Sequence, residues 1–168
     1  MTSTKQSVYI ETTIVSYYVS RPSRDLTIAA RQALTREWWE TKRQGYRLVV
    51  SPAVFREARM GDADAAQRRM AALTMPDIEV LAPTSRIEEL AVAIRAELDI
   101  PEAKHVDAVH IAYAVAYEID DLLTWNCAHF ANADTLKRFA EFCRRDNLWL
   151  PVICTPYEMS GDEGDVDS

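Results

Sequence analysis

At 168 residues the chain suits one domain with a full core, and 48% hydrophobic with 27% charged residues is the balance of an ordinary globular protein. No apolar run approaches the roughly 20 residues of a bilayer-spanning helix, and the polar opening Met1 to Gln6 leads straight into a strand, so neither membrane anchor nor signal peptide is expected and the expected compartment is the cytoplasm. Five units of the net charge of −7 lie in residues 158–168, which leaves the body near −2 and excludes a broad basic surface for nucleic acid.

The expected layout is therefore a domain over residues 1–157 and an acidic, disordered tail over 158–168. The three cysteines, Cys127, Cys143 and Cys154, are an odd count without C-x-x-C spacing and read as buried, reduced thiols.

In chain order, Val8-Tyr9-Ile10 reads as a central strand ending on Glu11-Thr12-Thr13. Ser23 to Arg43 reads as a long helix, with Ser23 as its cap and Gly45 placed to end it. Trp38 falls on the apolar stripe of that helix, which points to packing in a core or a dimer. Arg47–Val50 is a second strand. Ser51-Pro52 opens the next helix with a hydroxyl cap and a proline at its first position, putting Glu57 near the first turn.

Asp62 caps a helix through Leu73, and Pro76 breaks it. Ile78–Leu81 is a third strand. Ser85 and Glu88 have capping-box spacing and open a helix through Leu98. Val106 to Ile119 carries Val106, Val109, Ala112 and Ala116 as the apolar stripe of a helix, with Asp107 one residue off it. Leu122–Trp125 is a buried strand ending in the polar cluster Asn126-Cys127-Ala128-His129. Asn132 or Asp134 caps a helix to about Arg145, and Leu150–Cys154 is the last strand. Strands alternating with helices predict one α/β domain, three-layer α/β/α, with a central and mainly parallel sheet.

Glu11, Glu57 and Asp107 each fall at a strand end or in an opening helical turn, positions that share one edge of a parallel sheet. Each alone has a plainer reading, such as a solvated strand end or a partner for the helix dipole. Together, three carboxylates would repel one another unless a cation sat between them. An all-oxygen set suits Mg2+ or Mn2+ rather than zinc, and such a centre fits phosphodiester hydrolysis. His105 and His110 lack the spacing of a zinc site and read singly as satisfied polar residues. With four glycines and no glycine-rich loop, nucleotide-binding folds lose support.

Y-I-E-T-T at 9–13, S-P-A-V-F-R-E at 51–57, H-V-D-A-V-H-I-A at 105–112 and D-L-L-T-W-N-C-A-H-F at 121–130 together resemble the PIN-domain family, in particular VapC-type toxins of toxin–antitoxin pairs. The resemblance spans roughly residues 8–158. It implies a Mg2+- or Mn2+-dependent ribonuclease, a homodimer, held in check by a partner antitoxin. Matched position by position, Glu11, Glu57 and Asp107 are the three metal-binding acids. Asn126, with His129 as the other candidate, stands where the family usually has a fourth acid. Glu11 departs from the usual Asp by one methylene. Thr12 or Thr13 matches the small polar residue that holds a water or a phosphate, and Arg56 is a candidate phosphate contact. The rival reading is a degenerate PIN module that binds RNA or a protein without cutting.

Overall fold

The computed structural model describes residues 4–126, 130 and 132–159; His129 and the tail beyond Met159 lie outside them. Its elements run β1 Ser7–Ile10, α1 Thr12–Val19, α2 Leu26–Glu37, β2 Arg47–Val50, α3 Pro52–Ala58, α4 Ala63–Leu73, β3 Ile78–Val80, α5 Ser85–Glu97, α6 His105–Ala116, β4 Asp121–Leu123, α7 Ala133–Arg145, β5 Val152–Cys154 and α8 Pro156–Met159. The sheet is parallel throughout, in the order β3-β2-β1-β4-β5. Tyr9 lies opposite Val49 on one side and Leu122 on the other. Every residue of β1 and β4 is buried, so helices cover both faces and the strands read as unbroken apolar runs.

Helix α1 is absent from the sequence reading because Thr-Thr-Ile-Val-Ser-Tyr-Tyr-Val is rich in β-branched and aromatic residues, which favour strands. Tertiary context overrides that preference. Glu11 takes the extended N-cap conformation and its side chain accepts from the Thr13 amide, while Ile14 and Val15 are buried. Tyr18 stacks on Trp39 at 4.9 Å, pinning the far end of the helix.

The helix expected from Ser23 starts at Leu26, capped by Asp25, and gives way to a π-helical turn at Trp38–Lys42. Neighbours on an α-helix point about 100° apart, and the wider turn lets both Trp38 and Trp39 enter the core. Ser51 precedes α3 but makes no capping hydrogen bond. The residue before α5 is Thr84, not Ser85, and Glu88 pairs with His105 instead of closing a capping box. Asn132 is the cap of α7, accepting from the Thr135 amide.

Helix α6 is buried almost all round: Asp107, Ala108 and the whole run His110–Val115 are inside, while Val106 and Val109 are only half-buried. The stripe read from the sequence was thus displaced, and Asp107 sits on the inward face. α6 lies along α5 and also touches α3, which brings its opening turns to the edge where α3 ends.

Candidate metal centre

In a parallel sheet the carboxyl ends of all strands open on one edge, and Glu11, Ser51 and Thr124 follow β1, β2 and β4 there. Glu57 comes from the last turn of α3, not the first, so its reading as a partner of the helix dipole does not hold. Asp107 and His110 come from the first two turns of α6, three residues apart and hence on one face.

Ligand atoms of Glu11, Glu57 and His110 all lie within 4.8 Å of one another. Asp107, buried beside them, is not in that triad. His110, which reads from sequence as a satisfied polar residue, is the third member of the group.

Each group is held from behind. Glu11 Oε2 accepts from the Thr13 amide (3.1 Å), the Thr13 hydroxyl and the Thr124 hydroxyl (2.8 Å). The Thr13 and Thr124 oxygens in turn accept from the Trp125 and Asn126 amides, each at 2.9 Å. Glu57 Oε1 accepts from the Thr12 hydroxyl (2.7 Å) and lies 2.5 Å from His110 Nε2. The other ring nitrogen, Nδ1, is 2.7 Å from the Tyr9 hydroxyl, which is 2.7 Å from Ser51 Oγ. Asn126 Nδ2 donates to Asp107 Oδ2 at 3.2 Å.

The electrostatics are lopsided. Burial raises the Glu11 carboxyl above its ordinary range, and neither the charge on His110 nor the threonine donors bring it back. Burial acts the same way on Glu57, but the His110 hydrogen bond and charge, Thr12 and Lys104 outweigh it, and Glu57 ends lowered. His110 would be depressed by burial, yet the Glu57 hydrogen bond and the charges of Glu11, Glu57 and Asp107 raise it. One imidazole thus faces several carboxylates, and burial makes the charged form of Glu11 costly. A divalent cation offsets that cost, and two carboxylates with an imidazole are donors such an ion accepts.

A cavity of about 500 Å³ opens beside the acids, lined among others by Glu11, Thr13, Tyr17, Ile28, Glu57 and Arg69. The two threonines expected to hold a water or a phosphate have their hydroxyls on the carboxylates. Arg56 is exposed, and its charge acts on the Tyr113 phenol. Arg69, not singled out from sequence, is the basic residue on the cavity wall.

A PIN domain family model matches residues 8–136. No curated protein matches the chain by sequence. Among solved structures it is similar to VapC20 of Mycobacterium tuberculosis, a sarcin–ricin-loop-cleaving toxin, at 19% identity and a TM-score of 0.58, covering 74% of this chain and 93% of that one. It is also similar to VapBC-1 of nontypeable Haemophilus influenzae (15%, TM-score 0.56, covering 90% and 99%). A further likeness is to VapBC2 of Rickettsia felis bound to a DNA fragment of its promoter (14%, TM-score 0.50, covering 89% and 98%). At these identities the likeness is one of fold.

Proposed function

The chain belongs to the PIN-domain family, and on that premise we propose that it is a Mg2+- or Mn2+-dependent endoribonuclease, the toxin of a toxin–antitoxin pair. The observation that carries this reading is the convergence of Glu11 and Glu57 on one spot at the carboxyl edge of the sheet, with Glu11 buried and its carboxyl raised by that burial. Its partners are an RNA substrate, a protein antitoxin and a second copy of the chain. The similar VapBC complexes support the antitoxin. Among the described residues no helix is long and apolar enough to cross a membrane, which accords with work in the cytoplasm.

When bound, the ion supplies a water of lowered pKa and positive charge against the scissile phosphate. Glu11 and Glu57 hold it, and the threonine hydroxyls of residues 12, 13 and 124 fix both carboxylates in one orientation before any ligand arrives. Asp107, buried and steadied by the Asn126 amide, adds a third negative charge beside them. Because Asn126 is neutral where the family usually has an acid, one ion suits the centre better than two. The cavity is large enough for a nucleotide next to the scissile bond, with Arg69 on its wall.

The test is cleavage of a mixed RNA pool in Mn2+ or Mg2+ by the intact protein and by Asp107→Asn. Cutting by the intact protein and a loss of about 100-fold or more in the variant are expected. An intact protein that binds RNA but never cuts would replace this reading with that of a binding module. Equal cutting by both forms would undo the site assignment.

A further inference from the structure

We propose that His110 is a direct nitrogen ligand of the divalent ion, and that it tilts the centre from Mg2+ toward first-row transition ions such as Mn2+. This rests on the metal-centre reading above and adds to the oxygen-only set that the family resemblance implies.

The geometry puts the ring where a ligand would have to be. His110 is fully buried, one of its ring nitrogens lies in the triad with oxygens of Glu11 and Glu57, and Nε2 is the nitrogen that faces Glu57, 2.5 Å from its Oε1. Oxygens and nitrogens bound at about 2.1 Å to one ion lie roughly 3–4 Å apart, so the triad needs only small shifts to close on one. The back of the ring is fixed by neutral groups. Tyr9 Oη lies 2.7 Å from Nδ1 and is itself 2.7 Å from Ser51 Oγ, and the Tyr9 and His110 rings meet edge-on with centroids 5.7 Å apart. Burial raises the Tyr9 phenol, so it keeps its hydrogen.

In the ion-bound state Nδ1–H donates to Tyr9 Oη, and Tyr9 O–H donates to Ser51 Oγ. The hydrogen on Nε2 passes to solvent, and its lone pair points at the place where the carboxylates meet. A histidine whose far nitrogen donates to a second group is the arrangement that orients a metal-ligating imidazole. A counter-charge for Glu57 would also need an acceptor behind Nδ1, so the ligand role rests on the ring's place in the triad and is read from the metal–nitrogen bond itself.

Imidazole is a poor ligand for Mg2+ and a good one for transition ions. The intact, RNA-free chain is therefore expected to bind Mn2+ at least about 100-fold more tightly than Mg2+, measured by calorimetry. His110→Asn is expected to lose about 10- to 100-fold in Mn2+ affinity, with a much smaller change for Mg2+. Pulsed EPR of the Mn2+-loaded protein reads the bond itself: a ¹⁴N coupling in the intact protein, changed by ¹⁵N-histidine labelling and lost in His110→Asn or, should that variant not fold, in His110→Gln. Tyr9→Phe is expected to keep the coupling while weakening Mn2+ binding. Bound Mn2+ without nitrogen coupling, or coupling that survives both His110 variants, overturns the inference and leaves the metal centre standing. Failure of Mn2+ to bind the intact protein overturns both.

Discussion

The two edges of the sheet both carry inward acids beside β1 and β4, and they treat them in opposite ways. At the amino edge, Asp120 Oδ2 accepts from the Ser7 amide and the Ser7 hydroxyl, each at 2.8 Å, and the Asp120 amide returns a bond to Ser7 Oγ. Asp121 is buried next to it and accepts from the Gln6 amide at 2.5 Å. Each acid there ties two strands together through neutral donors. At the carboxyl edge the same kinds of donor orient Glu11 and Glu57, yet the carboxylates point toward one another and toward a single imidazole. Neutral donors at the first edge complete a structure; at the second they aim charge at a space between side chains.

That difference is sharpest in paired variants. Glu57→Gln is expected to lower Mn2+-dependent RNA cleavage by about 10²- to 10³-fold, and to cost stability too, since buried His110 loses its charged partner. Asp120→Asn is expected to leave the cleavage rate near that of the intact protein while costing about 1 kcal/mol in denaturant unfolding, because a neutral amide oxygen replaces a charged acceptor for the Ser7 donors. A cleavage loss in Asp120→Asn as large as that in Glu57→Gln would erase the distinction between the edges.

A smaller effect of opposite sign is expected at Glu11. Glu11→Gln should raise the stability of the metal-free protein by on the order of 1 kcal/mol while abolishing cleavage, since it removes a buried charge that serves the ion and not the fold. A metal-free variant less stable than the parent would show that the threonine hydrogen bonds already satisfy the carboxylate.

The pH dependence follows from the same groups. Glu11 and His110 are raised, so their contributions are full below 4.5 and 6.5 and are lost as pH climbs through the raised values. Glu57 is lowered, so its contribution is present above 4.5 and goes as pH falls through the lowered value. The metal-free protein is expected to soften as pH rises past 6.5, read by denaturant unfolding between about pH 5 and 9. His110→Asn should flatten that limb. A parent profile without the limb would mean that the His110–Glu57 ion pair does not form.

The smallest effect is at two thiols. Burial, helped by Asp146, pushes Cys143 up to about 11, and burial, helped by Asp121 and Glu158, pushes Cys154 up to about 12. Neither should be alkylated by iodoacetamide in the native protein at pH 8, as peptide mass spectrometry can read. Rapid native labelling of Cys154 would show that the amino-edge acids are wetter than their hydrogen bonds suggest.

The alternation of strands and helices was legible because buried strands leave apolar runs and helix caps leave polar ones, as at Val8–Ile10 and Asn132. The place of Glu11 at the carboxyl edge was legible as well, since a parallel sheet sends every strand end there; Glu57, expected from a first turn, meets it from the last turn of α3. Helix α1 was not, because its β-branched residues argue locally for a strand and only burial and the Glu11 cap decide otherwise. Nor was His110: one histidine in an apolar helix has no marker until its ring is seen against Glu57 and Tyr9. Ser51 looked like a cap, and its hydroxyl instead meets a tyrosine 42 residues away. Contacts set by the order of strands leave no trace in short-range spacing.

Strand order also governs when the centre can assemble during synthesis. β1 is made first but pairs with β4 on one side, Ile10 against Leu123, and Glu11 receives its Thr124 hydroxyl from the end of that late strand. A chain still emerging from a ribosome carries Glu11 and Glu57 with neither α6 nor β4 to meet them. A centre built on this plan stays incomplete until most of the chain has been released.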